Sequence, residues 1–238
     1  SDARFNADHT RKLWDLARTE TDLENIGLEV AHFVCPTTFH ALGFSLWASS
    51  NLLDALNRMI RFEVLLNDGC HLHLTKCKNN FNFTMQVKQV EQEDLVAPEG
   101  VDYFLGAVVK MFRDMTGDSF NPIKVKLIRP APKDSSHWTQ FFNCPISFAD
   151  SSNQLIFAEE SLTRTLATGN NALAEQNDKL VEDYLCKMKI QDIRGQVRSA
   201  LIELMPLGIT TLDEVARSLA MPSRTLQYKL NQQGTTLQ

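Results

Sequence analysis

The C-terminal stretch of this chain carries the pattern that most restricts its fold. Thr211 stands three residues before Glu214, the spacing at which an N-cap side chain and the N3 side chain satisfy each other's backbone donors at a helix start. Pro222 breaks this first helix, and the i, i+4 pair Leu226 and Leu230 predicts a second one. The apolar stripe of the first helix recurs at i, i+3, i+4 and i+7, at Leu212, Val215, Ala216 and Leu219. Two short helices joined by a tight turn are typical of a helix-turn-helix.

The polar side of the second helix has the chemistry to read DNA. Arg224, Thr225, Gln227 and Tyr228 lie off its apolar stripe. Gln227 can bond an adenine edge through two hydrogen bonds, and Arg224 can reach guanine or a phosphate. An ordinary helical hairpin with a solvated polar face fits the spacing equally well, because short amphipathic helix pairs are common.

Residues in and before this stretch resemble the DNA-binding domain of the AraC/XylS family of bacterial transcription regulators. The matching residues are Val197-Arg198, Leu204-Met205-Pro206 with Gly208, Val215-Ala216, Arg224-Thr225-Leu226-Gln227 and Gly234-Thr235. The resemblance implies that the positions of Arg224, Gln227 and Tyr228 face the DNA bases. We therefore expect promoter DNA as a partner.

The chain departs from the family pattern at two positions and at its ends. The family usually has Arg at Tyr228, so a phosphate or thymine-methyl contact could replace a guanine contact there. The family often has Gly at Ala220, and if this turn requires a positive φ, Ala costs on the order of 1 kcal/mol. Members continue beyond Gln238 into a second helix-turn-helix and also have an upstream portion. We therefore expect a chain truncated at both ends that binds DNA weakly.

Charge is distributed unevenly along the 238 residues, whose net charge is -5. From Lys187 to Gln238 there are seven basic and four acidic residues, whereas the remainder has 17 basic and 25 acidic ones. An acidic body with a basic tail is the distribution expected of a sensor joined to a DNA reader. The five cysteines lack any C-x-x-C pair, which is typical of a reducing compartment. With no apolar leader or membrane-length apolar run, we expect a cytoplasmic protein without membrane contact.

Helical periodicity alternates with one strand-like region before the DNA-reading tail. Helices are predicted over 8–19, 25–33, 39–49, 52–66, 101–115 and 136–142. The 52–66 helix should start at an Asn51 cap and bury Leu52, Leu56, Met59, Ile60 and Val64. A hairpin is predicted from strands 70–77 and 81–90, with further strands at 123–128, 146–148 and 154–157. We expect an α+β effector domain with a small antiparallel sheet, followed by an all-α helix-turn-helix segment.

The central region resembles the effector-binding N-terminal domain of one AraC/XylS branch, that grouped with regulators of ornithine use. The matching segments are PTTFHALGF, SNLLDALNRMIRFEVLLND and RPAPKDSSHWTQFFNCPISFADSSNQLIF. The resemblance implies a small-molecule effector, which we expect between the sheet and the helices. Candidate ligand-binding residues are Phe44, Trp47, Arg61, Phe62 and Tyr103. These aromatic residues could equally form the core, with Arg61 solvated.

A metal site is an alternative use of the first hairpin strand. If Cys70 to Cys77 is a strand, His71, His73 and Cys77 share one face and could converge on a metal ion. Structural zinc sites favour four ligands with close Cys pairs, and nothing else in the sequence completes this set. Histidines on a wet hairpin face are the competing interpretation, and we predict neither a resident metal nor a cofactor.

The helix that follows the central region predicts the domain order. A turn at Thr168-Gly169-Asn170-Asn171 leads into a helix with an apolar stripe of Leu173, Leu180, Val181, Tyr184, Leu185 and Met188. Such a stripe favours a dimer seam or packing on either neighbouring domain. We therefore predict an effector domain over 1–168, a linker or dimerisation helix over 169–190 and an incomplete DNA-binding domain over 191–238.

Enzymatic function has little support in the sequence. It contains no nucleophile-elbow, P-loop, GxGxxG or zinc-deaminase pattern, although catalytic residues distant in sequence could still meet in the fold. The favoured hypothesis is a ligand-responsive transcription regulator, with a second copy of the chain as a candidate partner. A metal-sensing regulator and a small-molecule enzyme are the alternatives.

Overall fold

The computed structural model describes residues 7–117, 119–191, 193–207, 211–232 and 235–236. The chain divides into two compact units, Ser1–Asp178 and Lys179–Gln238. Three residues used in the sequence comparison, Gly208, Gly234 and Gln238, lie outside the described residues, as does the side chain of Met188.

The first unit is built on a mixed sheet. Its strands are β1 Cys70–Cys77, β2 Asn80–Val87, β5 Lys124–Lys126, β6 Ile146–Ser147 and β7 Asn153–Ala158, and a separate short pair is formed by β3 Gln89–Val90 and β4 Glu93–Asp94. The large sheet has the order β1-β2-β7-β5-β6. Adjacent strands of this sheet are antiparallel, except for the parallel pair β5–β6. With the helices around it, this sheet confirms the predicted α+β class.

Helices cover the sheet of the first unit. They are α1 Ala7–Thr21, α2 Ile26–Ala31, α3 His40–Trp47, α4 Leu52–Arg61, α5 Glu63–Leu66, α6 Pro98–Thr116, α7 Ser136–Phe142 and α8 Glu159–Thr163. Helix α6 packs on the sheet, where Phe112 lies 5.8 Å from the Phe157 ring and Phe104 lies 6.3 Å from the Phe83 ring. Helix α2 crosses α6 closely, since a Cβ on Gly27 would lie 2.1 Å from the Glu99 carbonyl oxygen. Only glycine fits at that crossing.

The predicted hairpin is present and its turn is tighter than expected. Cys77 pairs with Asn80, so Lys78 and Asn79 form a two-residue turn. Lys78 takes a positive φ of 54°, the backbone conformation such hairpin turns require. Phe83 and Met85 of β2 are fully buried, as their alternation predicts. The strand ends at Val87 rather than residue 90.

The single helix predicted over 52–66 is wrong, because it divides at Phe62. The Asn51 cap is confirmed, with its side chain accepting the Asp54 N–H at 2.8 Å. Phe62 leaves helical geometry, at φ -112° and ψ 24°, and is buried, while α5 starts at Glu63. The break changes the helical register, so that Val64 is 44% exposed and lies outside the core. Burial of one aromatic side chain thus overrides a continuous apolar stripe.

Helix α9, Asn171–Gln191, begins in the first unit. Asn170 caps its start, since its side chain accepts the Leu173 N–H at 3.1 Å. Within the predicted stripe Val181 is buried, whereas Leu173, Leu180 and Tyr184 are 46%, 54% and 39% exposed.

The second unit contains three packed helices. They are α10 Ile193–Leu204, α11 Leu212–Ser218 and α12 Ser223–Gln232. Their shared core consists of Ile193, Val197, Ala200, Val215, Ala216, Leu226 and Leu230. Thr211 caps α11 by accepting the Glu214 N–H at 3.4 Å, and its hydroxyl donates to the Glu214 carboxylate at 2.5 Å. The helix-turn-helix predicted from spacing is therefore present.

Candidate functional site

Helix α12 presents its predicted DNA-reading residues to solvent. Leu226 and Leu230 are buried on one side of the helix. Arg224, Gln227 and Tyr228 lie on the other side and are exposed, as is Thr225. An exposed polar helix face on a buried apolar base is the arrangement that major-groove readers use.

The turn before α12 fixes the angle between the two helices. Ala216 is buried, and its carbonyl accepts the Met221 N–H at 3.0 Å. Ala220 has a φ of 53°, in the left-handed region where the family often has glycine. The expected positive φ is therefore present. Ser223 at the start of α12 donates its hydroxyl to the Asp213 carboxylate of α11, which ties the two helices together.

Helix α10 is a part of this unit that spacing arguments from the tail missed. Ile193, Val197 and Ala200 recur at i, i+4 and i+7, and all three are buried in the shared core. This apolar periodicity is the local sequence signal of the helix. Without α10, the helix-turn-helix formed by α11 and α12 would leave Val215 and Leu226 exposed.

The first unit contains a cavity of about 620 Å³ at one end of the sheet. It lies among the last residues of β2, the loop at 128–130, the residues 151–153 that lead into β7, and the start of α6. Its volume is within the range of small-molecule sites. Space for a ligand is therefore present at this end of the sheet, beside the start of α6.

The five residues proposed as ligand contacts do not line this cavity. Phe44 is 46% exposed on α3, and Phe62 is buried at the α4–α5 break. Arg61 lies over the Phe62 ring at 4.9 Å, and the Tyr103 ring lies 5.7 Å from that of Trp14. Trp47 is half-buried at the end of α3. Their role in ligand binding stays a prediction.

The sequence alone did not predict the charged pair beside the cavity. Arg129 lines the cavity wall and donates from Nη1 to the Asp102 carboxylate of α6. Asp102 is fully buried, and burial raises its pKa to about 6 although the Arg129 guanidinium acts to lower it. Arg129 also lies over the Trp138 ring at 4.8 Å. Residues 102 and 129 have no shared motif, so only the fold could reveal this pairing.

The proposed metal ligands do not form a metal site. His71 bonds the Glu63 carboxylate at 2.9 Å, and His73 bonds the Gln86 side chain at 3.3 Å. Cys77 is six residues further along β1 from His71, which is roughly 20 Å at strand rise. Across the described ranges no group of three His, Cys, Asp or Glu side chains is placed to hold a metal ion. The metal-sensing alternative therefore lacks its site.

Comparison with known proteins identifies the first unit. A family model described as the arabinose-binding domain of AraC transcription regulator, N-terminal, matches residues 1–166. The chain belongs to this AraC regulator family. The residues that match the family model thus cover nearly all of the unit that contains the sheet and the cavity.

Two curated relatives of this AraC-type chain come from Pseudomonas aeruginosa. It is 21% identical over 242 residues to the HTH-type transcriptional regulator VqsM, covering 99% of this chain and 71% of the relative. It is 21% identical over 216 residues to the ornithine utilization regulator, covering 90% of this chain and 62% of the relative. Both relatives are named as regulators, in agreement with the AraC transcription regulator family to which the chain belongs.

A solved structure resembles the whole AraC-type chain. The crystal structure of the transcriptional regulator CdpR from Pseudomonas aeruginosa matches with a TM-score of 0.57 and 17% identity, over 99% of this chain and 82% of that one. At this identity the likeness supports the fold.

Among the helices described for the chain, none is both long enough and apolar enough to span a bilayer.

Proposed function

We propose that this AraC-type chain is a ligand-responsive regulator, in which a small molecule bound to the first unit controls promoter binding by the helix-turn-helix. The observation that carries this proposal is the exposed face of α12, with Arg224, Thr225, Gln227 and Tyr228 opposite the buried Leu226 and Leu230. The cavity of about 620 Å³ in the first unit supports the sensor role. This role is regulatory rather than enzymatic, and its site of action is the cytoplasm.

Selection of DNA from a randomised duplex pool tests the reading role. We expect the chain to enrich a short sequence in one major-groove segment, and Gln227→Ala to relax base preference at one position by about 1 to 3 kcal/mol. Gln140→Ala on α7, a matched change at an exposed glutamine of the first unit, should leave the enriched sequence unchanged. Enrichment of no sequence by the wild type would overturn the reading role.

We propose the same domain order as the sequence indicates, with an effector domain over 1–168, a linker or dimerisation helix over 169–190 and the DNA-binding portion from 191. The linker helix could join two copies, because Leu173, Leu180 and Tyr184 are spaced by seven and four residues and are exposed. Dimers would suit the reading of paired half-sites.

Sedimentation of the wild type and Leu180→Asp tests the dimer. A buried seam should not tolerate the carboxylate, so we expect a dimeric wild type and a monomeric variant. Cys186→Asp, which introduces the same carboxylate at an exposed position of α9 away from this face, serves as the control. A wild type that stays monomeric at high concentration contradicts the dimer without affecting the reading role.

A further inference from the structure

The arginine in the cavity wall keeps donors available for a ligand. Both hydrogen bonds of the Arg129 guanidinium leave from Nη1, one to the Asp102 carboxylate and one to the Glu24 carbonyl at 3.5 Å. Its Nε is buried without a partner in the described part of the chain. The side chain is 12% exposed and lines the cavity, so Nη2 can donate to a molecule placed there.

Asn153 adds a second donor from the strand that borders the cavity. It is 4% exposed, and its Oδ1 accepts the Ile128 N–H at 2.9 Å. Because a backbone N–H can only donate, the oxygen must face Ile128 and the Nδ2 group lies on the other side. That Nδ2 donates to no group in the ranges that the structure describes, and Asn153 lines the cavity.

The end of β2 supplies a third donor from its backbone. The Leu72 N–H donates to the Glu63 carboxylate at 2.7 Å, so the backbone N–H and C=O of Leu72 point away from β2. The backbone N–H and C=O of Met85, which pairs with Leu72, must therefore point towards β7. The backbone groups of Val87, two residues further along β2, have the same orientation as those of Met85. Strand β7 begins at Asn153, opposite Met85, so it does not reach Val87. The Val87 N–H and C=O are thus directed towards the cavity that Val87 lines.

Apolar side chains also line the cavity. Val96, just before α6, and Val101, in its first turn, are 7% and 5% exposed, and Met85 is fully buried. All three line the cavity. The acidic residue at the wall, Asp94, already accepts from Gln89 at 2.9 Å. The wall of the cavity therefore combines hydrogen-bond donors, one of them cationic, with aliphatic surface.

We infer that this cavity binds a small monocarboxylic acid, with its carboxylate on Arg129, Asn153 and the Val87 N–H and its apolar body against Val96 and Val101. This inference rests on the proposed sensor function and gives its ligand a chemical class. A carboxylate is the compact group that accepts several hydrogen bonds and carries the charge opposite to arginine. Matched alcohols and amines lack one or both properties.

Thermal melting and calorimetric titration of the full chain test the inference. The probes are 3-phenylpropanoate, 3-phenylpropan-1-ol and 3-phenylpropylamine, with hexanoate, hexan-1-ol and hexylamine as a second matched set. We expect at least one carboxylate to raise the Tm, and neither its alcohol nor its amine to do so. Arg129→Gln should weaken that binding about tenfold or more. Arg164→Gln, at an exposed arginine of the same unit, should not.

A second variant covers the case in which Arg129→Gln does not fold. Ser152 lines the cavity and is not among the hydrogen-bond partners found for Arg129 and Asp102 in the described residues, so Ser152→Phe should fill the space and abolish binding. Ser161→Phe on the exposed face of α8 is its control. Binding that persists in Ser152→Phe, an equal response to the amine or alcohol, or no response to any probe overturns the inference. The selection of DNA from the randomised duplex pool tests the proposed DNA-reading role independently of this inference, because that experiment needs no ligand.

Discussion

At the residue scale, Ala220 is held in a backbone conformation that L side chains disfavour. Its φ of 53° follows α11, where the chain must turn sharply to enter α12. Ala220→Gly should raise the free energy of unfolding by about 1 kcal/mol, because glycine adopts this region without a Cβ clash, although its extra unfolded-state entropy offsets part of the gain. Chemical denaturation measures the change.

A matched alanine separates backbone relief from a general effect of glycine. Ala174 lies inside α9 and is buried. Ala174→Gly should lower stability by about 1 kcal/mol or more, since it adds flexibility within a helix and removes a packed methyl group. A loss of stability in Ala220→Gly would contradict the assignment of strain to that turn.

Asp102 gives the first unit a pH dependence of definite sign. Burial raises its pKa from 3.8 to about 6; Arg129 faces it as the opposing charge, and Glu99 on the same helix adds to the rise. The folded state therefore keeps a proton that the unfolded chain releases near pH 4. The stabilising contribution is complete below about pH 4 and is lost as pH rises to about 6.

Unfolding free energies of wild type and Asp102→Asn from pH 4 to 7 test this sign. The wild type minus variant difference should fall across that window, by about 3 kcal/mol at most, because a pKa difference of two corresponds to that energy. Asp68→Asn, an exposed carboxyl of the same unit, should show no such fall. A difference that rises with pH would mean that Asp102 is stabilised as the anion.

At the element scale, the first turns of α9 are fixed to the first unit by one buried carboxylate. Asp178 is 6% exposed and accepts from the Ser45 hydroxyl of α3 and from Arg58 of α4, with Arg61 at 3.6 Å. Asp178→Ala would leave Arg58 buried with Asp54, at 3.5 Å, as its remaining counter-charge among the described residues. We expect a loss of about 3 kcal/mol.

Hydrogen exchange locates the effect of that substitution. Amides of residues 171–178 should exchange faster in Asp178→Ala, because this carboxylate joins their helix to α3 and α4. Asp183→Ala, at an exposed position of the same helix, is the control for helix propensity and charge. Unchanged protection of these amides in Asp178→Ala would assign the stability of α9 to its apolar contacts alone.

Local periodicity predicted most elements, whereas the cavity wall and the attachment of α9 depend on long-range polar contacts. Capping at Asn51 and Thr211, the turn at Lys78 and the stripes of α11 and α12 depend on residues within a few positions of each other. The Arg129–Asp102 pair joins residues 27 positions apart, and the Ser45–Asp178 bond joins residues 133 apart. Such pairs have no local signature, which is why the cavity wall and the α9 anchor escaped prediction.

At the scale of the whole molecule, charge is divided between an acidic N-terminal part and a basic C-terminal part of the chain. The net charge of -5 places the chain among acidic proteins, yet four exposed cationic side chains are found on α10–α12 among those described: Arg198, Arg217, Arg224 and Lys229. We therefore expect the proposed DNA binding to depend on a small number of phosphate contacts and to have low affinity.

The salt dependence of DNA binding measures those contacts. Each neutralised phosphate contributes about -0.9 to the slope of log K against log salt, so four contacts limit the slope to roughly -4. Arg224→Gln should make the slope less steep by about 0.9 if Arg224 binds a phosphate, whereas Arg164→Gln on the first unit should leave it unchanged. A steeper slope than -4 would require cationic contacts in addition to these four. An unchanged slope with relaxed base preference would instead assign Arg224 to a guanine edge.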